Sequence, residues 1–247
     1  MTDGTLRIGT AGWSIPRALA EAFPGPGPHL ERYTRRMNAV EINTSFYRPH
    51  KRQTYERWAA STPDDFQFSV KAPRLLTHEQ RLEAPESGLD AFAEQVTGLG
   101  NKLAVILVQL PPSLSFDAAL AQAFFAAVHE RLDAAVVCEP RHASWFEPDA
   151  NRLMIDSKVA RVAADPVKVP GADEPGGWKG LSYTRLHGSP RVYYSAYSAK
   201  FLAGQARRLE TFSKAGPAWC ILDNTASGAA LGDALAVMAA DAADTIG

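Results

Sequence analysis

The sequence has little of what marks several protein classes. It contains two cysteines, Cys138 and Cys220, each inside an apolar run, and no CxxC pair. A disulfide framework and a cysteine-based zinc site are therefore excluded, and we expect buried, reduced, inert thiols. The longest apolar stretches, such as Leu103–Val108, are far shorter than the ~20 residues that cross a bilayer.

An excess of charge of either sign is also absent. Lys and Arg number 26 and Asp and Glu 27, a net charge of -1. This excludes a chain that holds nucleic acid by bulk charge, although a local basic patch is still compatible with it. Met1–Gly4 lack the basic-then-apolar start of a signal peptide, so we expect a cytoplasmic protein.

Short apolar, β-branched runs recur along the 247 residues and predict eight strands. Near-continuous apolar runs are typical of strands buried on both faces of a parallel sheet. The predicted strands are Leu6–Thr10, Ala39–Ile42, Gln67–Val70, Leu103–Gln109, Ala135–Glu139, Ala160–Ala164, Leu181–Leu186 and Trp219–Asp223.

The segments between these strands show helical spacing of apolar residues. Asp117–Arg131 is the clearest, with Asp117 as its N-cap. Two segments predict long loops instead: Pro73–Pro85, and Asp165–Gly180, which is rich in Pro and Gly. The other predicted helices are Ser87–Gly98, Asp149–Ser157, Ser198–Lys214 and Ser227–Ala240.

Eight strand–helix units in one uninterrupted run predict a single (β/α)8, TIM-barrel-like domain over residues 1–247, with an irregular sixth unit. The alternative is a doubly wound open sheet, which usually carries a glycine-rich turn after its first strand. The turn here, Gly9–Trp13 (GTAGW), matches neither GxGxxG nor the Walker pattern.

Polar residues gather at the carboxyl ends of the predicted strands, where barrels carry their sites. The amino-terminal ends offer little comparable chemistry, and this asymmetry is the main residue-level evidence for a site. The candidates are Trp13, Glu41, Asn43, Tyr47, Lys71, Gln109, Glu139, Arg141, His142, Trp145, Asp165, Arg185, His187, Asp223 and Asn224.

An ordered set of short motifs resembles the YecE-like proteins, a family named as a domain of unknown function (DUF72). The motifs are GTAGW, VEINTSFYRP, FSVKAP followed by TH, ILVQLPPS, EPRHASW, RLHG and DNTASGAA. The resemblance covers nearly the whole chain and implies a TIM-barrel-like fold but no activity. Two residues depart from the expected pattern: Ala11 replaces a Ser, and Asp223 replaces an Asn, which would add a carboxylate to the pocket.

Lys71, Arg141 and Arg185 at strand ends suggest an anionic ligand carrying phosphate or carboxylate. The small residues in the loops that begin at His187 and Asp223 would add backbone N–H groups at a helix start. The alternative is that Asn224, Thr225 or Ser227 is simply an N-cap.

For catalysis, Glu41, Glu139 and His187 are the candidate proton-transfer residues. A divalent metal held by Glu41, Glu139, Asp165 and His187 is the competing hypothesis. We favour instead that the carboxylates pair with the three cations, and we expect no cofactor. Aromatic residues could line the site: Trp13, Phe46, Tyr47, Trp145 and Tyr197. His78 lies in a loop that could fold over it.

Three functional hypotheses follow from these residues. The leading one is a binding site for an anionic small molecule with acid–base catalysis, as in a hydrolase, isomerase or lyase. The second is a metal-dependent phosphodiesterase or nucleic-acid-binding protein, against which the near-zero net charge counts. The third is a non-catalytic metabolite sensor. The sequence does not decide whether the protein is an enzyme, nor its oligomeric state.

Overall fold

A computed structural model describes residues 5–244, so the amino-terminal Met1–Gly4 lie outside the description. The fold is a parallel barrel surrounded by helices, as predicted. Seven of its strands are continuous and one is interrupted. The strands are β1 (Leu6–Thr10), β2 (Ala39–Ile42), β3 (Gln67–Lys71), β4 (Leu103–Gln109), β5 (Ala135–Glu139), β6 (Val159–Arg161), β7 (Ala163–Asp165), β8 (Gly176–Gly177), β9 (Ser182–Leu186) and β10 (Ala218–Leu222).

The barrel consists of two sheets that meet at two seams. One has the order β1-β10-β9-β7 and the other β2-β3-β4-β5-β6-β8. At the first seam, Ala11 bridges to Glu41 in parallel, and the N–H of Gly12 donates to the carbonyl of Glu41 at 2.8 Å. At the second seam, the sixth strand changes partner at Val162, pairing first with β5 as β6 and then with β9 as β7.

The irregular sixth unit is confirmed: residues 166–181 form no helix, and the short strand β8 runs antiparallel to β6. The prediction of a long loop over Pro73–Pro85 is wrong in part. Residues Leu75–Glu79 form one turn of π-helix, because the carbonyls of Pro73 and Leu75 accept bonds from the N–H groups of Leu76 and Gln80.

All five predicted helices are present, with ends shifted by at most four residues. The helix α4 begins after Asp117, whose side chain accepts the N–H of Leu120 at 2.9 Å, as an N-cap should. Two helices, α1 and α2, were not predicted. The helices are α1 (His29–Tyr33), α2 (Arg52–Ala60), α3 (Glu86–Val96), α4 (Ala118–Arg131), α5 (Pro148–Asp156), α6 (Ala199–Ala215) and α7 (Ala229–Asp244).

Strand side chains alternate between two cores because successive residues of a strand face opposite sides. The larger core lies between strands and helices and includes Ile42, Val70 and Leu186. The smaller core fills the barrel interior with residues such as Val105, Tyr183 and Ile221. The two thiols are buried, unpaired and on the outer side, and burial raises the pKa of both.

Among residues 5–244, no helix is long and apolar enough to cross a membrane.

Tyr33 connects the two strands of the first seam. Its buried hydroxyl accepts the N–H of Thr10 at 2.9 Å and donates to the carbonyl of Ala39 at 3.0 Å. We expect Tyr33→Phe to lower the free energy of unfolding by about 1–3 kcal/mol, because two buried backbone groups lose their partner. Urea unfolding measures the change.

Tyr55→Phe is the matched control. Tyr55 is also fully buried, but its hydroxyl has no hydrogen-bond partner among the described residues. Removing that hydroxyl should leave stability unchanged or raise it. Equal losses in both variants would show that the Tyr33 hydroxyl does not hold the seam.

Candidate functional site

The inward-facing side chains become polar at the carboxyl ends of the strands. We call the opening at these ends the mouth of the barrel. Side chains of a strand face inward at every second residue, so the inward-facing residue that follows the apolar interior lies at the mouth. Together these residues form a polar layer. The buried polar residues that face inward, on these strands or one residue beyond them, are Glu41, Ser69, Lys71, Gln109, Glu139, Arg185, His187 and Asp223.

Arg185 is the centre of this layer. Its side chain is 0% exposed, and its guanidinium group contacts three carboxylates. Nε and Nη2 donate to the two oxygens of Glu41 at 3.0 and 2.7 Å, and Nη1 donates to Glu139 at 2.6 Å. Nη2 also donates to Asp223 at 3.1 Å. The pairing of cations with carboxylates that we favoured from sequence is therefore present for Arg185 and Arg141 but not for Lys71. Arg185 has no free face for an external anion.

Glu41 is a fully buried member of this layer. Oε1 accepts from Arg185, and Oε2 accepts from Arg185 and lies 3.1 Å from the hydroxyl of Tyr183, which also lies 2.9 Å from Ser69. A carboxylate with both oxygens occupied and no exposed surface does not reach a ligand. Glu41 therefore positions Arg185 and is not placed to transfer protons to a bound molecule.

Glu139 has a second guanidinium partner at the surface of the mouth. Nη2 and Nε of Arg141 donate to its Oε1 at 3.0 and 3.2 Å. Although burial alone would raise the pKa of Glu139, Arg185, His187 and Arg141 together hold it well below its ordinary value. Glu139 therefore stays a carboxylate at neutral pH and is a poor base. The Arg141 side chain is 27% exposed, so one of its faces is open to solvent.

His187 is held between two carboxylates. Its Nδ1 lies 2.9 Å from Oδ2 of Asp223 in a hydrogen bond. Its Nε2 lies 3.2 Å from Oε1 of Glu139 but is not aligned for a hydrogen bond. Burial lowers the pKa of His187, but Glu139 and Asp223 outweigh burial and Arg185, so the pKa is raised above 6.5. The two carboxylates therefore favour the charged imidazolium form of His187 more than in an ordinary histidine.

Asp223 occupies the position where the family resemblance implied an additional carboxylate. Burial would raise its pKa, but Arg185, His187 and Lys71 lower it. Its hydrogen bonds to described residues use Oδ2 alone. Oδ1 is therefore the carboxylate oxygen that remains for a ligand or a proton in the mouth.

Lys71 is buried, with 5% exposure, yet lies within 4.0 Å of no carboxylate among residues 5–244. Its Nζ lies 4.1 Å from the centroid of the Phe46 ring. Burial and Arg185 lower the pKa of Lys71 to about 8, against the opposing effect of Glu41, Glu139 and Asp223. The face of Phe46 also favours the ammonium form.

The mouth contains two adjacent cavities that share Tyr193. The Arg141 cavity, of about 370 Å³, is lined by Glu139, Arg141, Val169, His187 and Tyr193 among others. The Lys71 cavity, of about 270 Å³, is lined by Asn43, Tyr47, Lys71, Tyr193, Asp223 and Thr225 among others. Burial, together with the charges of Lys71, Arg74 and Arg141, lowers the pKa of His78 to about 4.

Tyr193 is a functional candidate that the sequence analysis missed. Its φ of 70° is unfavourable for a residue with a side chain. Three contacts hold it: its N–H donates to the carbonyl of His187 at 2.5 Å, its carbonyl accepts the N–H of Ala226 at 3.0 Å, and its hydroxyl accepts from Arg141 at 3.4 Å. The signal that could have found it is its place in the loop directly after the strand of Arg185 and His187.

Several predicted site residues form hydrogen bonds with other parts of the protein and do not line the two cavities of the mouth. Asp165 points outward and accepts the hydroxyl of Tyr197 at 2.7 Å, while the amide of Asn224 donates to Asp233 at 2.7 Å. Trp145 is 1% exposed and donates to the carbonyl of Leu114. His142 accepts the N–H of Ser144 as the N-cap of a short turn.

The loops after β9 and β10 also differ from the expected phosphate cradle. The N–H groups of Gly188, Ala226 and Gly228 donate to Tyr197, Tyr193 and Thr225. These three backbone donors are already bonded and are not available to an anion.

The remaining candidates lie at or beside the mouth. Gln109 is buried next to Glu139 in the register of β4 and β5. Trp13, Asn43 and Tyr47 line a third cavity of about 300 Å³, together with Trp58. The Oδ1 atom of Asn43 is buried without a partner among the described residues.

No group of three or more His, Cys, Asp or Glu side chains in the described part of the chain is arranged to hold a metal ion. The converging oxygens of Glu41, Glu139 and Asp223 are hydrogen-bonded to Arg185. The donor set of this mouth therefore fits a guanidinium group and not a divalent cation.

Arg185→Met should destabilise the protein by about 3–5 kcal/mol, because it leaves three buried carboxylates without their partner. Urea unfolding measures the loss. Arg52→Met is the control: Arg52 pairs with Glu56 on α2, where both side chains are about half exposed, so the loss should be below about 1 kcal/mol. A similarly small loss for Arg185→Met would show that the carboxylates do not depend on this residue.

The raised pKa of His187 makes stability depend on pH. A group whose pKa is higher in the folded state contributes stability that is complete below its unfolded value, 6.5, and is lost as pH rises through the folded value. His187→Asn keeps a donor toward Asp223 but cannot titrate. As pH rises from about 5 to about 8, the wild type should therefore lose stability relative to this variant.

Chemical unfolding at each pH checks this dependence. Parallel curves for the two proteins, or a wild type that gains relative stability with rising pH, would contradict the assigned direction of the pKa shift.

Solved structures similar to this chain share its fold. A DUF72 family protein from Enterococcus faecalis V583 superposes with a TM-score of 0.81 at 19% identity, covering 96% of each chain. A DUF72 family protein from Thermotoga maritima MSB8 gives a TM-score of 0.76 at 21% identity, covering 95% of this chain and 98% of that one.

Curated relatives are similar over part of the chain. The UPF0759 protein YunF of Bacillus subtilis (strain 168) is 32% identical over 149 residues, 58% of this chain and 53% of the relative. The UPF0759 protein YecE of Escherichia coli (strain K12) is 31% identical over 106 residues, 43% of this chain and 38% of the relative. The chain thus spans about half or less of the length of these relatives.

The family match is more extensive than these pairwise ones. Residues 7–245 match the family described as "Protein of unknown function DUF72", and the solved structures of that family have the same barrel. The resemblance first suggested by the motifs is confirmed: this chain belongs to the DUF72 family and has its TIM-barrel fold.

Proposed function

We propose that the mouth of the barrel binds a small molecule carrying a carboxylate or phosphate group, with Arg141 as its anchor. The observation that carries the proposal is the contrast between the two guanidinium groups. Arg185 is enclosed by three carboxylates. Arg141 has one carboxylate partner, and its side chain is 27% exposed and lines a cavity of about 370 Å³. A planar guanidinium group with free donors is suited to a carboxylate or phosphate.

The charge balance of the mouth supports an anionic ligand. Three carboxylates, Glu41, Glu139 and Asp223, face the cations Lys71, Arg141 and Arg185. These charges cancel, and protonation of His187 then leaves one positive charge in a poorly solvated opening. An anion entering the mouth would neutralise that charge.

His187 is the proton-transfer group in this proposal. Its Nδ1 is bonded to Asp223, which orients the ring, and His187 lines the Arg141 cavity. An imidazole with a raised pKa and a fixed orientation serves as a general acid. Glu139 and Glu41 hold the cations in place, and Asp223 orients His187, so we propose an enzyme of the hydrolase, isomerase or lyase type over a passive sensor.

Arg141→Ala should weaken the binding of inorganic phosphate and of oxalate at least about tenfold, because charge-assisted hydrogen bonds are each worth about 1.5–3 kcal/mol. Arg141→Lys keeps the positive charge but loses the planar pair of donors, so its affinity for the two anions should fall less than that of Arg141→Ala. Arg52→Ala, on an outer helix and outside the mouth, is the matched control. Titration calorimetry measures the affinities.

Unchanged affinity of both anions for Arg141→Ala would refute the anchor. Equal losses in Arg141→Ala and Arg52→Ala would show that only general surface charge is involved.

A further inference from the structure

We infer that Lys71 is a nucleophilic amine that forms an imine with a ketone or aldehyde carrying the anionic group bound by Arg141. This inference deepens the proposed function and rests on it. It names the substrate class as 2-oxo acids and phosphorylated carbonyl compounds, because these combine the two groups that the adjacent cavities would receive.

The position of Lys71 is fixed by its backbone. It is the last residue of β3, and the hydroxyl of Ser45 hydrogen-bonds to its carbonyl at 2.7 Å. The next N–H, that of Ala72, donates to the carbonyl of Leu107 at 2.8 Å. Phe46 lies against the amine, with 4.1 Å between Nζ and the ring centroid. The side chain is therefore held at the wall of the Lys71 cavity.

Comparison with the other buried lysine separates a reactive role from a structural one. Lys102 is 7% exposed, and its Nζ donates to the carbonyls of Ala59 and Thr62 at 2.7 Å each and to the Thr62 hydroxyl at 3.2 Å. Lys71 is 5% exposed, and no hydrogen bond or ion pair of its Nζ is found among the described residues. Lys102 is placed as a structural cation, whereas the donors of Lys71 remain free for a ligand.

The electrostatic surroundings make the neutral amine accessible. Burial and Arg185 lower the pKa of Lys71 to about 8. At pH 7 about a tenth of such amines are neutral, against well under about 0.1% for an ordinary lysine. A desolvated lysine beside another cation is a recognised way to activate an amine nucleophile.

The reaction requires no oxidant or reductant. The lone pair of Nζ attacks the carbonyl carbon, a C–N bond forms, and the electrons of the C=O bond move to oxygen. The nitrogen then loses its two protons, the oxygen gains both and departs as water, and a C=N bond remains. Asp223 lines the same cavity as Lys71 and has Oδ1 free of bonds to described residues, so it relays the protons.

The wall that the two cavities share would position the anionic group and the carbonyl group of the ligand. Tyr193 lines both the Arg141 cavity and the Lys71 cavity. A molecule beside Tyr193 can therefore present its anionic group to Arg141 and its carbonyl carbon to Lys71. An uncharged ketone would lack the first contact and would react poorly.

Trapping with cyanoborohydride tests the inference, since hydride transfer to the imine carbon gives a stable secondary amine. The folded protein is incubated with pyruvate, dihydroxyacetone phosphate or acetone, and peptide mass spectrometry locates the adducts. Pyruvate or dihydroxyacetone phosphate should modify Lys71 at least about tenfold more than Lys102 or any exposed lysine. Acetone should modify it much less.

Variants separate chemistry from binding. Lys71→Arg keeps the charge and should abolish the adduct, whereas Arg141→Ala should reduce it. Adducts spread evenly over the lysines would overturn the inference. Titration calorimetry could show that pyruvate and dihydroxyacetone phosphate bind although no adduct forms on Lys71. In that case the imine is wrong and the proposed anion site stands. If the probes neither bind nor react, both proposals fail.

A second measurement needs no bound ligand. Competitive labelling with acetic anhydride, an uncharged reagent, follows each amine as a function of pH. Lys71 should reach half of its maximal reactivity near pH 8, below the 10.5 of an ordinary lysine. Half-reactivity of Lys71 near 10.5 would overturn the inference whatever the identity of the ligand.

Discussion

The buried guanidinium group of Arg185 is the interaction on which the mouth of this barrel depends. Three carboxylates, two from strands and one from the loop after β10, would repel one another in a site that excludes water, and each would be costly to bury alone. The fork of Arg185 contacts all three, Glu41, Glu139 and Asp223, at 2.6–3.1 Å. It thereby joins β2, β5, β9 and the loop after β10 in one charged layer.

This layer divides the work among residues that look alike in the sequence. Arg185 neutralises buried charge. Arg141 lies two residues beyond Glu139, the last residue of β5, and keeps an open face. Glu41 and Glu139 act as counter-ions, whereas Asp223 orients His187. Lys71 receives the electrostatic effect of the whole cluster without a direct partner, and this is why its chemistry differs from that of Lys102.

The family and the fold leave the chemistry open, because one barrel supports many reactions. The curated relatives and the solved structures are themselves described by family names and not by activities. Function must therefore be argued from the side chains in the mouth. The proposed anionic ligand rests on their charge balance, and the proposed carbonyl group rests on the amine of Lys71, which has no ion pair or hydrogen bond among the described residues.

Much of the fold could be predicted because it depends on local pattern. Buried parallel strands need continuous apolar runs, and four of the eight predicted strands, for example Leu103–Gln109, have the bounds found in the structure. The short helix α1 was missed because five residues carry too little periodicity. The π-helical turn at Leu75–Glu79 was missed because its hydrogen bonds follow the path of a loop.

The site was predictable in part. Strand alternation alone brings Arg185 and His187 to one face, and the same parity turns Asn224 away once Asp223 faces inward. Asp165 is excluded similarly, since Ala164 lines the Arg141 cavity. Tyr193 was not predictable in this way, because a loop residue has no strand parity and its place depends on contacts with His187, Ala226 and Arg141.

The sequence by itself determined the strands, the family and the set of charged residues at the strand ends. Only the tertiary structure decided which cation neutralises which carboxylate. Ion pairing in a buried layer depends on distances of a few ångström between residues that are as many as 144 positions apart, and no local pattern encodes such distances. That pairing is what encloses Arg185, exposes Arg141 and leaves the amine of Lys71 free.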